Sequence, residues 1–381
     1  MLLLNKVNKL FMSKVFDNKH MFDKNYFELL HSKLEHDSSL FNRSLLQYKA
    51  QTGRKKSIIC INIILAFILP LFIFFLVGVW ICSLFKRENR LVENTYFDIV
   101  AVLPYEDIIP KSLLTKNIFF VKKENILKNG WLFDVKDLLF CIYLLYRYPL
   151  YPPLSIKASF VILQYSLISK MQCREVLVSN EYSFTSSILT FYLRKNKKTV
   201  SNCMHGDKVL CLRDCFSCYD NFYVWEEYYM QLLIEMGVNA KFHVDSCKFI
   251  ELDCISNNGK NIIFFLQGIE SLDNLKNIKE VLVKLESIYN MPYYIKPHPR
   301  YITPHLLDVF TEKKILNVDY KEALSQCSIA CSSYSTILFQ VFINRQKKLN
   351  KFPLIAINDT LNIPSGYIMM DKADIKFSSL I

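Results

Sequence analysis

The segment Lys296-Pro297-His298-Pro299-Arg300 closes a β-rich apolar run, and Ser332-Ser333-Tyr334-Ser335-Thr336 opens a helix some thirty residues later. Prolines on either side of His298 fix φ and exclude helix, which holds the imidazole at a strand mouth. An imidazole held there can stabilise negative charge growing on a departing phosphate. Lys296 and Arg300 add positive potential. The serine run lies between the strand-like SIAC and the helix-like STILFQVF. Free backbone N–H groups and the positive end of a helix dipole favour an anion at such a junction. The hydroxyls of Ser332, Ser333 and Ser335 are further donors. The plain alternatives are a solvated basic turn and a helix N-cap.

A base for an acceptor hydroxyl has three candidates. His205-Gly206-Asp207-Lys208 follows a strand-like run, and Gly206 permits a tight turn or the close approach of a ligand. His205 can take a proton, and Asp207 can orient it or act in its place. Glu181 follows another strand-like run and can be a base, bind an acceptor hydroxyl, or serve as a first-turn helix charge. Cys203, His205, Cys211, Cys215 and Cys218 fall within sixteen residues. Their spacing matches no zinc pattern, so free thiols are expected and no metal.

The elements that must position these groups alternate between strand and helix. REVLVSN (174–180), SFTSSILTFYLRKN (183–196, with Ser183 as cap), KTVSNCMHG (198–206), NFYVW (221–225) and EEYYMQLLIEMG (226–237, stopped by Gly237) form the first series. FDIVAVLP and NIFFVKK precede it as strands, followed by two helices within 131–172. The polar ELDCISNNGK (251–260) reads as a boundary. Beyond it the rhythm restarts: strands at 261–268, 293–299, 315–318, 328–332 and 353–358, with helices at 273–290, 303–311, 320–326 and 334–343. This predicts an α/β chain of two Rossmann-like domains, each a parallel sheet with helices on both faces. Their ligands would sit outside the carboxyl ends of the strands, in a cleft between the domains. The expected divisions are a basic region 1–56, a membrane segment 57–85, an acceptor-side domain 95–250 and a nucleotide-donor domain 260–381.

The chain of 381 residues is 51% apolar and 22% charged, which excludes a disordered protein. Residues 1–56 carry eleven Lys/Arg against five Asp/Glu, half of the net +12. Such charge beside an apolar run suits anionic lipid, and no nucleic-acid-binding motif accompanies it. Residues 57–85 contain no charged side chain and are long enough to span a bilayer. Arg54-Lys55-Lys56 and Lys86-Arg87 flank the run, and Pro70 lies at its centre. A tilted span and a pair of half-helices kinked at Pro70 both fit.

The His-Gly turn, the Lys-x-His-Pro element and the Ser-Ser helix start resemble bacterial surface-polysaccharide transferases of the two-Rossmann (GT-B) type. Sialyltransferases and capsule 3-deoxy-octulosonate transferases of that type carry an HP element and a paired Ser/Thr motif. CDP-glycerol glycerophosphotransferases carry a similar HG…HP…S arrangement. The similarity covers residues 174–345. It implies a nucleotide donor, CMP- or CDP-linked, with His298, Ser332 and Ser333 at its phosphate and the first-half motif as base. The acidic pair followed by Gly that sialyltransferases use as base is missing from this sequence. The resemblance implies an inverting, metal-independent glycosyltransferase of O-antigen or capsule synthesis, using no cofactor. Its partners would be a CMP-sugar and a lipid-linked acceptor glycan at the bacterial inner membrane, with the catalytic part cytoplasmic. Polyol-phosphate transfer and a catalytically silent membrane-tethered subunit are the alternatives.

Overall fold

The computed structural model describes residues 23–53, 56–85, 95–129, 131–252, 259–268, 270–299, 303–348, 353–360 and 365–380. Arg300 lies outside them, as do Arg54, Lys55, Lys86 and Arg87. The chain divides into two compact units, residues 1–205 with 210–245, and residues 206–209 with 246–381.

The first unit opens with three helices: α1 (Lys24–His36), α2 (Leu40–Thr52) and α3 (Lys56–Leu84). Then follow β1 (Phe97–Leu103), β2 (Ile118–Lys122), α4 (Val135–Arg147), α5 (Pro152–Lys170), β3 (Cys173–Val178), α6 (Ser186–Lys195), β4 (Thr199–Cys203), β5 (Cys218–Val224), α7 (Glu227–Glu235) and β6 (Asn239–Val244). The strands make one parallel sheet in the order β2-β1-β3-β4-β5-β6. Residues 99–103 of β1 are all buried, as continuous apolar runs in a covered parallel sheet should be. Asp134 and Asp137 form a reciprocal capping box on α4, and proline opens α5.

The second unit contains β7 (Asn261–Phe265), α8 (Leu272–Tyr289), β8 (Tyr293–Lys296), α9 (Leu306–Val309), α10 (Tyr320–Ser325), β9 (Cys327–Ser332), α11 (Thr336–Lys348), β10 (Leu354–Ile357), α12 (Met369–Lys372) and β11 (Ile375–Lys376). Its parallel sheet runs β11-β10-β9-β7-β8. The core beneath it joins Ile262, Phe264, Leu282, Ile295, Ile329 and Phe377, all buried.

Both sheets follow one plan. The first strand (β1, β7) is followed outward by the second (β2, β8), and the chain then returns to the first strand's other side (β3, β9). Each sheet therefore has a switch point, between β1 and β3 and between β7 and β9, where ligands of such folds collect.

Several expectations need correction. Ser183 does not cap α6. Thr185 holds the N-cap position, and the Ser183 hydroxyl lies 2.9 Å from the Thr185 hydroxyl. Residues 315–318 are not a strand, since Ile315 makes one bridge to Ile295 before Asp319 caps α10. The helix expected at 303–311 shrinks to Leu306–Val309 because His305 has a left-handed φ of 60°. β6 was not expected, because its alternating polar sequence hides a sheet-edge strand.

Residues 24–52 of the basic amino-terminal region pack against the first unit's sheet domain. Phe27 stacks on Phe216 with ring centroids 5.6 Å apart. The buried Arg43 guanidinium donates to the Gly237 carbonyl at 2.7 Å, and burial lowers its pKa. α3 runs unbroken through Pro70, and Ile58–Leu84 is long and apolar enough to cross a membrane.

Candidate functional site

Each unit presents polar side chains at the carboxyl edge of its own sheet. In the first unit, β3 ends at Val178 and delivers Ser179-Asn180-Glu181 beside the switch point. β4 ends at Cys203 and delivers His205. His205 Nδ1 lies 2.8 Å from Ser179 Oγ and 3.3 Å from Glu181 Oε1. Glu181 is fully buried, and its Oε2 accepts from Asn202 Nδ2 at 3.1 Å. The Tyr105 hydroxyl, after β1, donates to the His205 carbonyl at 2.8 Å. The Tyr182 ring stands 5.4 Å from the imidazole, and Lys123 Nζ donates to the Tyr182 hydroxyl at 2.9 Å.

The Glu181 carboxylate near Nδ1 favours the tautomer that carries its proton there, with the Ser179 hydroxyl accepting. Nε2 is then the basic nitrogen on a ring that remains 30% exposed. This arrangement can accept a proton from a hydroxyl and stabilise the resulting imidazolium.

α2 braces this loop from beneath. Gln47 Nε2 donates to the Glu181 carbonyl at 2.6 Å and the Arg213 carbonyl at 3.1 Å. Gln51 Nε2 donates to the Tyr182 and Arg213 carbonyls, each at 2.8 Å. A loop carrying a buried carboxylate needs such donors, because irregular backbone in a core has no ladder of its own.

Glu181 Oε1 stands beside His205 Nδ1, and Asp207 Oδ1 accepts from the Lys208 N–H at 2.8 Å. Residues 206–209 pack with the second unit, where the Asp207 N–H donates to Thr336 Oγ1 at 3.2 Å and the Tyr334 hydroxyl donates to the Asp207 carbonyl at 3.3 Å. A side chain on Gly206 would meet Thr336 Oγ1 at 4.0 Å, so the position is not sterically closed to Cβ.

In the second unit, His298 follows β8 by two residues and Ser332 ends β9, with β7 between those strands. Two strand spacings put these chain ends about 10 Å apart on one edge. The serines divide by role. Ser332 is fully buried and donates to the Phe265 carbonyl at 2.8 Å, which ties β9 to β7. Ser335 Oγ accepts from the Ile337 N–H at 3.3 Å, and its backbone exchanges bonds with the Tyr367 hydroxyl. These contacts belong to a helix start. Ser333 Oγ is buried and has no hydrogen-bond partner among the described residues.

Among the described residues that condition is shared by Gln267 Nε2, Thr303 Oγ1 and Asn358 Nδ2 in the second unit and by Ser187 Oγ and Ser217 Oγ in the first. Gln267 follows β7, Thr303 follows β8, Ser333 follows β9 and Asn358 follows β10. Gln267, Ser333 and Asn358 are hydrogen-bond donors within two residues of a strand's carboxyl end, whereas Thr303 comes seven residues after β8. Buried polar atoms are nearly always paired in native proteins, so three on one edge is a signal. Glu270 fixes the turn after β7 by accepting from the Gln267 and Gly268 N–H groups at 2.6 and 2.9 Å. Lys296 donates to the Pro297 carbonyl at 3.2 Å, and burial lowers its pKa.

Sequence reasoning missed Gln267, Thr303, Asn358, Ser179 and Asn202. Their signal was position alone, at or just past a strand's carboxyl end. The thiols near His205 turn elsewhere: Cys203 and Cys215 bond to the Val178 and Cys211 carbonyls. Among the described residues no cluster of His, Cys, Asp or Glu is placed to hold a metal ion.

No family model matches the chain, and no curated protein matches it. Among solved structures it is similar to the UDP-N-acetylglucosamine 2-epimerase of Rickettsia bellii. That likeness has 12% identity and a TM-score of 0.40, over 69% of this chain and 79% of the other.

Proposed function

We propose that the chain is a membrane-attached transferase that uses a nucleotide-linked donor. The observation that supports this reading is the set of three donors, Gln267, Ser333 and Asn358, that have no partner among the described residues on the edge that holds the β7/β9 switch point. Donors without acceptors on a basic chain suit an anion, and a nucleotide phosphate meets that need. His298 and Lys296 share the edge, and the resemblance assigns His298 to the leaving phosphate.

The first unit supplies the base. His205 Nε2 takes the proton of an acceptor hydroxyl while buried Glu181 steadies the imidazolium. The acceptor oxygen bonds the anomeric carbon of a sialic acid. The bond from that carbon to the phosphate oxygen breaks, and its electron pair leaves with CMP. The acceptor is a lipid-linked glycan of bacterial surface polysaccharide, which suits a catalytic part on the cytoplasmic side of the inner membrane.

A second reading is supported by the base itself. A histidine before glycine, instead of an acidic pair, suits transfer of glycerol phosphate or ribitol phosphate. In that case the acceptor oxygen attacks phosphorus and CMP again departs.

Detergent-solubilised protein incubated with CMP-sialic acid or with CDP-glycerol, with acceptor glycan present, separates these readings by CMP release. Release from the first donor supports sialyl transfer, and release from the second supports polyol-phosphate transfer. Release from neither indicates the catalytically silent subunit. His298→Ala should abolish transfer while leaving the thermal unfolding midpoint unchanged.

A further inference from the structure

The exposure of α3 follows a helical period from end to end. Asn62, Leu65, Leu69, Phe72, Leu76 and Ser83 fall on its less exposed side, at spacings of three, four and seven. Between them Phe67, Leu71 and Phe74 are 81%, 67% and 73% exposed. The shielded stripe touches the first unit along the whole helix. The Tyr48 hydroxyl of α2 donates to Asn62 Oδ1 at 3.4 Å. Phe72 and Phe75 meet Phe160 of α5 at centroid distances of 5.4 and 5.9 Å. Ser83 Oγ accepts from the Phe133 N–H at 3.0 Å.

From Asn62 to Ser83 a helix rises about 32 Å, the thickness of a bilayer's hydrocarbon core. Were α3 to stand across the membrane, α4 and α5 would have to accompany it through the hydrocarbon. α4 carries exposed Lys136 and Arg147, which hydrocarbon opposes. Lying flat, α3 buries only its outer sides. α4, which packs against α3, adds an outward stripe of its own: Val135, Leu139, Tyr143 and Tyr146, with Leu139 59% and Tyr146 84% exposed. Tyrosines at such a margin suit the headgroup level. The basic residues before and after α3 place both of its ends on the same, anionic side.

We infer that α3 lies in the plane of one leaflet and, with the outer stripe of α4, seats the first unit on an anionic bilayer surface without crossing it. This rests on the membrane attachment proposed above and not on the transferase chemistry.

The test uses the full chain with Lys56→Cys and Lys86→Cys in sealed vesicles of phosphatidylethanolamine and phosphatidylglycerol. A membrane-impermeant maleimide is added outside, and labels at positions 56 and 86 are located by fragmenting the peptide that holds both. In-plane attachment gives molecules labelled at both positions or at neither. Molecules labelled at one position only would show a crossing helix and overturn the inference while leaving attachment intact. Protein recovered in the aqueous phase without vesicles, as an oligomer covering α3, would remove the attachment itself. Leu139→Glu with Tyr146→Glu should lower the vesicle-bound fraction about ten-fold; unchanged binding would remove α4 from the contact.

Discussion

At the carboxyl edge of the first sheet the polar groups around His205 hold one another. Ser179 and Glu181 face Nδ1, Asn202 steadies the carboxylate, and Gln47 anchors the backbone that carries it. The corresponding edge of the second sheet is left open, with the donors of Gln267, Ser333 and Asn358 unmatched among the described residues. The strand order is the same, so topology does not cause the difference. A proton acceptor must be oriented before its substrate arrives, because its geometry sets the rate. A phosphate site can leave its donors waiting, because the ligand brings the acceptors. The contrast therefore separates a pre-set group from a binding surface, and substitutions on the two edges should move different constants.

The largest effect belongs to the first edge. His205→Ala should lower kcat for CMP release by about 10²- to 10⁴-fold, the range that general-base groups supply. Glu181→Gln keeps the shape but removes the charge facing Nδ1, and should lose a comparable factor. In both variants donor KM should stay within two- to three-fold of the parent, on the order of ~0.5 kcal/mol. A parallel rise in donor KM would mean the two edges do not divide the work as argued.

The second edge should answer through KM. Ser333→Ala and Asn358→Leu each remove a donor to a charged ligand, which is worth about 1.5–3 kcal/mol. Donor KM should rise about 10-fold or more in each. Thermal stability should hold or increase in Ser333→Ala, because the folded protein loses a buried polar atom without a partner; Asn358→Leu also loses the bond that its Oδ1 accepts from Thr360 Oγ1 at 2.6 Å, so its stability should fall by about 1 kcal/mol. Ser332→Ala makes the control. Its hydroxyl donates to the Phe265 carbonyl, so stability should fall by about 1 kcal/mol with little change in KM. If Ser332→Ala instead matched Ser333→Ala in KM, both serines would face the donor.

These pairs also show how far the sequence could be read. The restarted βαβ rhythm revealed two parallel sheets, and strand ends placed His205, Glu181, His298 and the serines on their carboxyl edges. Which serine is open was not legible. It depends on whether a hydroxyl at the last strand residue meets a neighbouring carbonyl, and that is a cross-strand fact. The brace from α2 was hidden for a related reason: Gln47 and Glu181 lie 134 residues apart, and a basic amphipathic segment looks the same packed or free. Adjacency in sequence suggested a partnership of Asp207 with His205, and sequence alone does not show that the chain enters the second unit at Gly206.

A smaller effect should come from the brace. Gln47→Leu leaves the Glu181 and Arg213 carbonyls without that donor. Loss of a buried hydrogen bond of this kind costs about 1–3 kcal/mol of stability. Gln47 is a positioning residue, so kcat should fall about 10-fold while donor KM holds. Gln47→Glu, whose carboxylate cannot donate, should not rescue; Gln47→His, which can, should recover part of kcat.

The smallest effect concerns Lys157 in the interior of the first unit. Burial, with the charge of Lys123 second, pushes the Lys157 ammonium down to about 7, and its Nζ sits 3.9 Å from the Phe184 ring centroid. An unfolded lysine titrates near ~10.4, so between that pH and about 7 the unfolded chain binds the extra proton. Stability from this group is therefore full above the unfolded value, falls as pH is lowered through the window, and levels off below about 7. The side chain reaches solvent in part, which discounts the penalty to about 1 kcal/mol. Lys157→Met should gain that amount near neutral pH, with the gain vanishing towards pH ~10.4, as read from urea midpoints across the range. Neither kcat nor KM should change. A gain independent of pH would assign the effect to packing against Phe184 instead of charge.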